Sequence, residues 1–530
     1  MESNNCNMRI ATVNGTGSQS ANNILIKTLF RMGVPVAGKN LFPSNIYGLP
    51  TWFNIRANKQ GFTSFTEKYD IFVAMNNDTV GEDIRSLSSG CIFIYNESLK
   101  FDRILLREDT INLALPVKEL TAQVTTSIKL KKLIANMLYV GVIAKLTQLD
   151  METLKGCVAD NFKNKDSVIE INLAAVMAGF EFAENNFQGI KAPIFNKSNR
   201  PEHEILIDGN TAGALGSVFG GCSFGAWYPI TPSSSLMEAF DKYSKKFKKN
   251  SDGSFNFALV QAEDELASIG MVIGAGWSGA RAMTATSGPG MSLMSEFVGL
   301  SYFAEIPAVI WDIQRVGPST GLPTRTMQCD LSIAHTMGHG DSRHPVLIPE
   351  NPSECYEFAS IALNLAEELQ TYVCVLSDLD IGMNLWQSEE FTQLPEIKRG
   401  KVLTAEDLKK VDSFARYRDV DGDGIPYRTL PGTHDPKAAY FTRGTGHDES
   451  SKYTESPEVF EKLMERLVRK LETAREMVPQ PEIHHSDATI GLIYYASSSQ
   501  IIPERENQKK KKGVKMAKLR IRALPLSRPV

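Results

Sequence analysis

The sequence predicts an α/β protein that contains a doubly wound parallel sheet. Three short apolar segments, at residues 258–260, 282–285 and 308–311, each end where a polar or glycine-rich motif begins. This pattern is typical of parallel strands with functional loops at their carboxyl ends, and the apolar segments near residues 345–348 and 372–376 continue it. Prolines in these loops fix φ and remove hydrogen-bond donors, so we expect rigid turns.

The composition is that of an ordinary globular protein. The chain has 530 residues, of which 42% are hydrophobic and 22% charged, and this length allows roughly three domains. A net charge of −4 does not indicate general nucleic-acid binding. The amino terminus is polar, and the most apolar helical segment, residues 133–144, is shorter than the about 20 residues that a bilayer requires. We therefore expect no membrane segment and a buried helix at 133–144.

Seven cysteines are scattered along the chain, and none forms a C-x-x-C pair. Spread, unpaired cysteines are typical of a reducing compartment, so the sequence predicts a cytoplasmic protein. A typical iron–sulfur cluster needs four thiolates, usually in grouped spacing. We therefore expect any cluster that this protein uses to lie on another chain.

Residues 1–190 are predicted to form a first α/β domain. A strand at 9–13 leads through a Gly/Ser turn at 14–20 into a helix at 21–32. The turn could present N–H groups to a phosphate, but it lacks the third glycine of a dinucleotide fingerprint and the lysine of a P-loop, so a plain tight turn is an equal alternative. Further strands are predicted at 71–75 and 91–95.

Residues 42–56 are rich in aromatic residues and turn formers, and this composition predicts a buried loop. A linker with two prolines follows the first domain at residues 191–202. The second domain is predicted at 203–486 and opens with a strand at 204–207.

The carboxyl-terminal part of the second domain, residues 387–485, is polar and irregular. Residues 419–424 imitate the start of an EF-hand loop, but Leu430 stands where the loop needs an acid, so an Asx/Gly turn is the preferred interpretation. The same segment contains Gly-Asp-Gly without the downstream Asn of a pyrophosphate–Mg²⁺ motif, and we reject that motif. A charged amphipathic helix is predicted at 457–477, on the surface or at a docking face.

A new strand at residues 488–496 is predicted to open a third domain, 487–530. The domain would be only a beginning, because the sequence ends at Val530. The basic run at 509–512 is interpreted as a solvated helix end, with a partner-binding patch as the alternative.

Three motifs in the second domain carry a resemblance to a known family. They are YPITP at residues 228–232, TSGPG at 286–290 and QRVGPSTGLPT at 314–324, with an acidic cluster between the first two. In this order they resemble the pyrimidine-binding alpha domain of 2-oxoacid:ferredoxin oxidoreductases. The first domain resembles that family's gamma domain, here fused ahead of the alpha domain. The segments at 42–56 and 137–179 contribute to that resemblance.

The resemblance implies a complete domain plan. A gamma domain precedes a thiamine-diphosphate-fold pyrimidine-binding domain, a doubly wound parallel sheet. A truncated domain of the transketolase C-terminal type follows.

The resemblance also implies a reaction and its cofactors. A 2-oxo acid is oxidatively decarboxylated to its acyl-CoA with thiamine diphosphate, and electrons pass to ferredoxin. A beta subunit would share the thiamine diphosphate and carry the pyrophosphate-binding domain, Mg²⁺ and an iron–sulfur cluster, in a heterotetramer. The gamma–alpha fusion and a GHGD loop at residues 338–341 favour 2-oxoglutarate by analogy. Pyruvate or a branched-chain 2-oxo acid, or a non-catalytic assembly subunit, remain alternatives.

The family requires a carboxylate against N1′ of the aminopyrimidine ring, and the resemblance places it at Glu265. Glu263 and Asp264 are neighbouring candidates. All three can also be explained as acids at a helix amino terminus, where negative charge is favourable.

The resemblance assigns substrate binding to Tyr228, Thr231 and Arg315. A hydroxyl at Thr231 can bond the substrate carboxylate or keto oxygen, and the guanidinium of Arg315 pairs well with a carboxylate. A turn-forming Thr and a structural ion pair are the alternatives. Gly288 and Pro289 of the TSGPG turn are assigned to the cofactor together with Glu265.

Three histidines, His335, His339 and His344, are spaced in a way that resembles metal ligands. The loop around them instead resembles a family loop near the site, so we expect no metal there.

Overall fold

The computed structural model describes residues 3–43, 48–163, 165–199, 202–484, 487–488 and 490–527. The chain divides into two compact units by contacts: the first is Met1–Ile207, Asn384–Glu390 and Gln500–Arg505, and the second is Asp208–Met383, Phe391–Ser499 and Glu506–Val530. The domain boundaries given above remain predictions. Residues 44–47 of the predicted loop, Arg200 and Pro201 of the linker and Thr489 of the predicted strand lie outside the described residues.

The first unit is built on a sheet with helices packed against it. Its elements in chain order are β1 (Cys6–Val13), α1 (Ser18–Arg31), β2 (Val36–Leu41), β3 (Pro50–Ala57), β4 (Ile71–Ala74), α2 (Val80–Arg85), β5 (Ile92–Asn96), β6 (Ile111–Leu115), α3 (Val117–Val124), α4 (Ile128–Thr147), α5 (Met151–Asn161), α6 (Asp166–Asn186) and β7 (Glu204–Ile207). The strands predicted at 9–13, 71–75 and 91–95 and the helix at 21–32 are confirmed as β1, β4, β5 and α1.

The first sheet has the strand order β2-β3-β1-β4-β5-β6. Strands β1, β4, β5 and β6 run parallel, whereas β3 is antiparallel to both of its neighbours. Both faces are buried, since Ile71 and Val73 join one apolar core and Phe72 and Phe93 join another. Successive side chains of one strand point to opposite faces of the sheet, so each strand contributes side chains to both apolar cores.

The buried loop predicted at 42–56 is wrong for residues 50–56, which lie in β3. Phe53, Ile55 and Ala57 all enter the same apolar core. Their spacing of two is the strand signal, and the turn formers before residue 50 masked it.

The buried helix predicted at 133–144 is confirmed as part of α4. Two glycines let α4 contact α6 at backbone distance. A Cβ at Gly141 would lie 1.9 Å from the carbonyl oxygen of Val176, and a Cβ at Gly179 would lie 2.0 Å from that of Leu138. Any larger residue at either position would push the two helices apart.

The second unit begins with α7 (Gly209–Phe219). Then follow β8 (Phe224–Trp227), α8 (Ser234–Phe247), β9 (Ala258–Gln261), α9 (Glu265–Trp277), β10 (Ala282–Thr286), α10 (Gly288–Ala304), β11 (Ala308–Gln314), α11 (Leu331–Thr336), β12 (Val346–Leu347), α12 (Pro352–Leu369), β13 (Tyr372–Asp378) and α13 (Leu379–Met383). The remaining elements are β14 (Trp386–Glu389), α14 (Ala405–Lys409), α15 (Pro457–Met477), β15 (Glu482–His484), β16 (Ile490–Tyr494), α16 (Ile502–Lys510), β17 (Met516–Arg520) and β18 (Ala523–Leu524). Strand β14 belongs to the first unit, where it pairs antiparallel with β7.

The second sheet has the strand order β18-β12-β13-β11-β10-β8-β9. All neighbouring pairs from β12 to β9 are parallel, and this confirms the predicted parallel sheet. Strand β18, from the segment predicted to open a third domain, is an antiparallel edge strand beside β12. The rest of that segment supplies β16 and β17, which form a three-stranded sheet with β15.

Helices pack against this sheet in two groups. Helix α7 contacts α8 and α12, and α9 contacts α10. At Gly213 of α7, a Cβ would lie 2.6 Å from the ring of the fully buried Trp311 on β11. The close approach of α7 to the central strand therefore requires glycine there.

The polar segment after β14 is held by turns and ion pairs. The carboxylate of Asp419 accepts hydrogen bonds from the backbone N–H groups of Gly422 (2.9 Å) and Gly424 (3.0 Å), which agrees with an Asx/Gly turn. Asp421 and Asp423 pair with the ammonium group of Lys401. A lysine thus neutralises the acids that resemble calcium ligands.

Two further predictions concern the carboxyl-terminal helices. The helix predicted at 457–477 is confirmed as α15, but one of its faces is buried and includes Arg466 and Lys470. Helix α16 ends at Lys510, and Lys511 and Lys512 after it are exposed, which agrees with a solvated helix end.

Candidate active site at the carboxyl edge of the second sheet

The predicted site residues follow four strands of the second sheet. The YPITP loop follows β8, Glu265 follows β9, the TSGPG turn closes β10, and Arg315 follows β11. Because these strands are parallel, their carboxyl ends lie at the same edge of the sheet. Segments that are distant in sequence are thereby brought to one edge.

The three neighbouring acids after β9 lie in different environments in the structure. Glu263 is exposed. Asp264 caps α9, because its carboxylate accepts a 2.7 Å hydrogen bond from the backbone N–H of Ala267. Glu265 is only 7% exposed, and among the described residues its carboxylate has no hydrogen bond or ion pair. Because Asp264 already caps the amino terminus of α9, helix capping does not explain why Glu265 is buried.

Glu265 lies against the TSGPG turn. A Cβ at Gly290 would lie 3.0 Å from Cγ of Glu265 and 1.9 Å from Oγ1 of Thr286. Glycine at position 290 is therefore required for the glutamate to approach the start of α10. Within α9, Gly276 is required for close packing, because a Cβ there would lie 2.2 Å from the carbonyl oxygen of Pro307, whereas a Cβ at Gly274 would meet nothing within 4 Å.

The amino terminus of α10 already faces a carboxylate. A Cβ at Gly288 would lie 2.8 Å from both carboxylate oxygens of Asp330. Negative charge is favourable at a helix amino terminus. The turn that we assigned to the cofactor is thus shaped by Asp330 on one side and by Glu265 on the other.

Arg315 is buried, with 6% of its surface exposed. Its Nη1 donates a 2.7 Å hydrogen bond to the carbonyl oxygen of Thr231, and its Nε is buried without a partner. The interpretation of Arg315 as one half of a structural ion pair finds no support within the described residues, where no carboxylate lies within salt-bridge distance. The arginine and the YPITP loop are nevertheless joined, through the backbone of Thr231 rather than through its hydroxyl.

A pocket of ≈ 630 Å³ lies beside Arg315. Gly288 and Pro289 form part of its wall, together with Cys329, Asp330 and residues 316–320. The side chain of Tyr228 is 39% exposed, and among the described residues neither Tyr228 nor Thr231 nor Glu265 lines this pocket. The structure thus groups Arg315 with the cofactor turn and leaves Tyr228 at the rim of the sheet edge.

Sequence reasoning missed two acids, Asp312 and Asp330. Burial raises the pKa of Asp312 well above its usual range, and the charge of Asp330 raises it further. Burial also raises the pKa of Asp330, against the lowering effects of Cys329 and Arg315. Burial and a neighbouring negative charge both favour the protonated form of a carboxyl group. A polar residue inside the apolar segment that became β11 was the only sequence signal for Asp312.

The residues present fit an aminopyrimidine ring. The largely buried side chain of Glu265 lies against the turn and has no hydrogen-bond partner in the described part of the chain. The buried hydroxyl of Ser287 in that turn has no partner either. Buried polar groups normally have partners. A ligand that carries N–H and ring-nitrogen atoms has the donors and acceptors that these two groups need.

The histidines are engaged in backbone contacts. Nδ1 of His335 lies 2.8 Å from the carbonyl oxygen of His344, and Nε2 of His344 lies 2.7 Å from that of Met337. His339 is exposed. Over the described ranges, no group of three or more His, Cys, Asp or Glu side chains could hold a metal ion.

Buried His344 is expected to make the folded state sensitive to acid. Burial lowers its pKa from 6.5 to about 4, although the hydrogen bond to Met337 opposes this shift. Below pH 6.5 the imidazole of His344 binds a proton in the unfolded chain but stays neutral in the folded chain. The free energy of unfolding therefore falls as the pH is lowered from 6.5 to 4, by about 3 kcal/mol in all. We expect urea unfolding to show that His344→Gln removes this part of the pH dependence. Equal differences between wild type and variant at pH 7.5 and pH 4.5 would contradict the assignment.

The cysteines and the helices were also compared with the predictions from the sequence. All seven cysteines are free, and only Cys329 is exposed. Within the part of the chain that the structure describes, no helix is both long and apolar enough to span a bilayer.

Two family models match the chain. Residues 216–458 match the thiamine-diphosphate-binding model of pyruvate flavodoxin/ferredoxin oxidoreductases. Residues 7–182 match the pyruvate ferredoxin/flavodoxin oxidoreductase model. The first match covers the whole sheet edge described above, from the YPITP loop to Arg315.

The chain is also similar to individual proteins over most of its length. It is 30% identical to the alpha subunit of 2-oxoacid:ferredoxin oxidoreductase 2 from Aeropyrum pernix, over 96% of this chain and 86% of that protein. It is 35% identical to the 2-oxoglutarate synthase subunit KorA of Methanocaldococcus jannaschii, over 60% of this chain and 81% of that protein. A solved 2-oxoglutarate:ferredoxin oxidoreductase from Magnetococcus marinus, with 2-oxoglutarate, coenzyme A and succinyl-CoA bound, superposes with a TM-score of 0.87 at 28% identity. It covers all of this chain and 89% of that one.

Proposed function

The chain belongs to the 2-oxoacid:ferredoxin oxidoreductases, the thiamine-diphosphate enzymes that the sequence motifs indicated, and we propose that its own substrate is 2-oxoglutarate. The observation that carries the site assignment is the burial of Glu265 against the TSGPG turn. The product would be the acyl-CoA, and ferredoxin would accept the electrons.

Glu265 is proposed as the catalytic residue of this chain. Bound thiamine diphosphate supplies a carbon nucleophile for the keto carbon of the substrate. Glu265 would hold a proton between its carboxylate and N1′ of the aminopyrimidine. Only 7% of Glu265 is exposed, and its carboxylate has no competing partner among the described residues. Gly288 and Pro289 would shape the wall against which the ring lies.

Arg315 is proposed to bind the 1-carboxylate of the 2-oxo acid. Its Nη1 is held by the carbonyl oxygen of Thr231, and this contact fixes the orientation of the guanidinium. A carboxylate in the adjoining pocket would provide the negative charge that Arg315 lacks. We assign the hydroxyl of Thr231 and the exposed ring of Tyr228 to the same substrate, although neither residue lines this pocket.

The proposed choice of 2-oxoglutarate rests on the relatives. Several are 2-oxoglutarate synthase subunits, and the similar solved structure holds 2-oxoglutarate and coenzyme A. Pyruvate and branched-chain 2-oxo acids remain the alternatives, because other relatives are named only for 2-oxoacids.

We propose that a beta subunit completes the enzyme. The names of the relatives describe them as subunits. The beta subunit would bring the pyrophosphate-binding domain, Mg²⁺ and an iron–sulfur cluster, in a cytoplasmic heterotetramer. Within this chain, residues 1–190 would act as the gamma domain and 203–486 as the pyrimidine-binding domain, joined by the linker 191–202, with 487–530 as the start of a third domain.

The proposed substrate is tested by measuring turnover of the reconstituted complex with different 2-oxo acids. The second carboxylate of 2-oxoglutarate can form one further charge-assisted hydrogen bond, which contributes about 1.5–3 kcal/mol. We therefore expect kcat/KM for 2-oxoglutarate to exceed that for pyruvate by roughly tenfold or more. Ferredoxin or a viologen dye reports the electrons released, and the chain without its companion serves as the inactive control.

Two results would contradict parts of this proposal. Preference for pyruvate would leave the family intact and change the substrate. A reconstituted complex that binds no thiamine diphosphate and oxidises none of the acids would instead identify a non-catalytic assembly subunit.

A further inference from the structure

A small cavity in the second unit is lined by two buried arginines, Arg416 and Arg428, each only 3% exposed. It lies at the end of the sheet remote from the proposed active site, where α10 ends at Ala304 and β11 begins at Ala308. Both arginines belong to the polar segment that follows β14. The cavity therefore lies where this segment contacts the body of the second unit.

Neither guanidinium is fully bonded. Nη2 of Arg416 donates a 2.7 Å hydrogen bond to the carbonyl oxygen of Glu305, whereas its Nε and Nη1 are buried without partners. Nη2 of Arg428 bonds the carboxylate of Glu367, but its Nε is also buried and unpartnered. Three nitrogen atoms of these buried cations thus lack an acceptor for their N–H groups, and an unmet buried donor on a charged group is costly.

Charge is also unbalanced in this region. Glu305 is fully buried and pairs with both Arg466 (2.5 Å) and Lys470 (2.7 Å). Glu367 pairs with Arg428 and with Arg399. Each of the two carboxylates therefore already serves two cations, and within the described residues no carboxylate lies within salt-bridge distance of Arg416. Buried charge without a counterion destabilises a fold strongly.

Aromatic rings compensate only part of this charge. The guanidinium carbon of Arg416 lies 4.9 Å from the ring centroid of Tyr417 and 5.6 Å from that of Tyr440. Such contacts stabilise the face of a guanidinium. They leave the N–H groups at its edge without acceptors.

The cavity admits one small occupant. The centre of a water-sized sphere can move through ≈ 10 Å³ of the cavity, so it has room for one water molecule or one monatomic ion slightly larger than water. Oxyanions such as phosphate or a carboxylate are too large. We propose that this cavity binds a single chloride ion between Arg416 and Arg428, which neutralises the excess charge and fastens the polar segment to the connection between α10 and β11.

Bromide provides a direct test, because it is close to chloride in size and scatters anomalously. Crystals of the full chain grown or soaked in bromide should show an anomalous peak between the two guanidinium groups. A weak peak without anomalous signal at that position would identify a water molecule and overturn the proposal.

Thermal unfolding gives an independent test. The full chain is exchanged into potassium gluconate, whose anion cannot enter the cavity, and then titrated with chloride at constant ionic strength. A ligand that binds only the folded state raises Tm with the logarithm of its concentration above Kd, by roughly 2–4 °C at a hundredfold excess over Kd. The same Tm in gluconate and chloride would contradict chloride binding.

Arg416→Met separates chloride binding from general packing. It removes the unpaired cation and keeps most of the side-chain volume. We expect Tm of the variant to be independent of chloride and, in gluconate, at least equal to that of the wild type, because the buried unpaired charge is gone. Arg443→Met is the matched control. Arg443 lies in the same segment and bonds the carbonyl oxygen of Ser451, so this variant should keep the chloride response. A chloride response that persists in Arg416→Met would show a nonspecific salt effect and would contradict the proposed site.

Discussion

Replacing Glu265 with Gln is expected to lower kcat of the reconstituted enzyme by roughly 10²–10⁴-fold, the usual cost of losing a general acid–base group. The amide is close in size to the carboxylate and can occupy the same position against Gly290. It cannot accept a proton from N1′ of the cofactor and return it. The measurement is single-turnover oxidation of the 2-oxo acid, with bound thiamine diphosphate quantified in the same preparation. The variant should retain the cofactor and its Tm.

The two neighbouring acids are matched controls for Glu265. Glu263 is exposed, so Glu263→Gln should leave the rate within about twofold, as is usual for surface changes. Asp264 caps α9, so Asp264→Ala should lower stability by about 1 kcal/mol and affect the rate far less than Glu265→Gln. A larger loss of rate in Glu263→Gln than in Glu265→Gln would show that the catalytic carboxylate is misassigned.

The second large effect is expected for Arg315→Ala, which should lower kcat/KM by roughly 10–100-fold. This factor corresponds to the about 1.5–3 kcal/mol that a charge-assisted hydrogen bond contributes. A 2-oxo acid reacts when its carboxylate is held out of the keto plane, and a guanidinium that is itself anchored on Thr231 can hold it there. Arg315→Lys should recover only part of the loss, because an ammonium group lacks the planar fork.

Comparison of substrates determines which carboxylate Arg315 binds. Since the 1-carboxylate is common to all 2-oxo acids, the loss should be similar for 2-oxoglutarate and pyruvate. A loss confined to 2-oxoglutarate would place Arg315 at the distal carboxylate, and unchanged kcat/KM for both would remove it from the site. Arg325→Ala is the control, because Arg325 lies in the same loop and donates to Thr324. Tm of each variant separates damage to the loop from loss of substrate contact.

The structure changes the interpretation of the polar segment after β14. Its composition indicated turns and exposed charge, yet Arg416, Arg428, Arg466 and Lys470 are all buried. A charged residue in a sequence is normally predicted to be exposed, because burial without a partner is costly. Partners from distant segments, such as Glu305 and Glu367, make this burial possible. Local sequence patterns do not predict such distant partners.

The sequence by itself determined the central strands of the second sheet, the loops that follow them and the family of this protein. Apolar segments that end in glycine, proline or polar residues mark buried strands and their turns, since both signals act over a few neighbouring residues. The strands β9, β10 and β11 and the helix α15 were predicted close to their observed positions for this reason. The order of the three motifs then placed their functional residues at one edge of a parallel sheet.

Only the tertiary structure decided which side chains meet at that edge. The resemblance favoured Glu265 over Glu263 and Asp264, but the local pattern alone did not distinguish them, because three acids at the start of a helix look alike in a sequence. The tertiary structure shows that Glu265 is the one that is buried against Gly290. The sequence did not reveal that Asp330 lies against Gly288, that Arg315 is held by the backbone of Thr231, or that β18 completes the second sheet. Each of these contacts joins residues from separate elements. Burial and pairing at such contacts depend on how whole helices and strands pack, which the local periodicity of a sequence does not record.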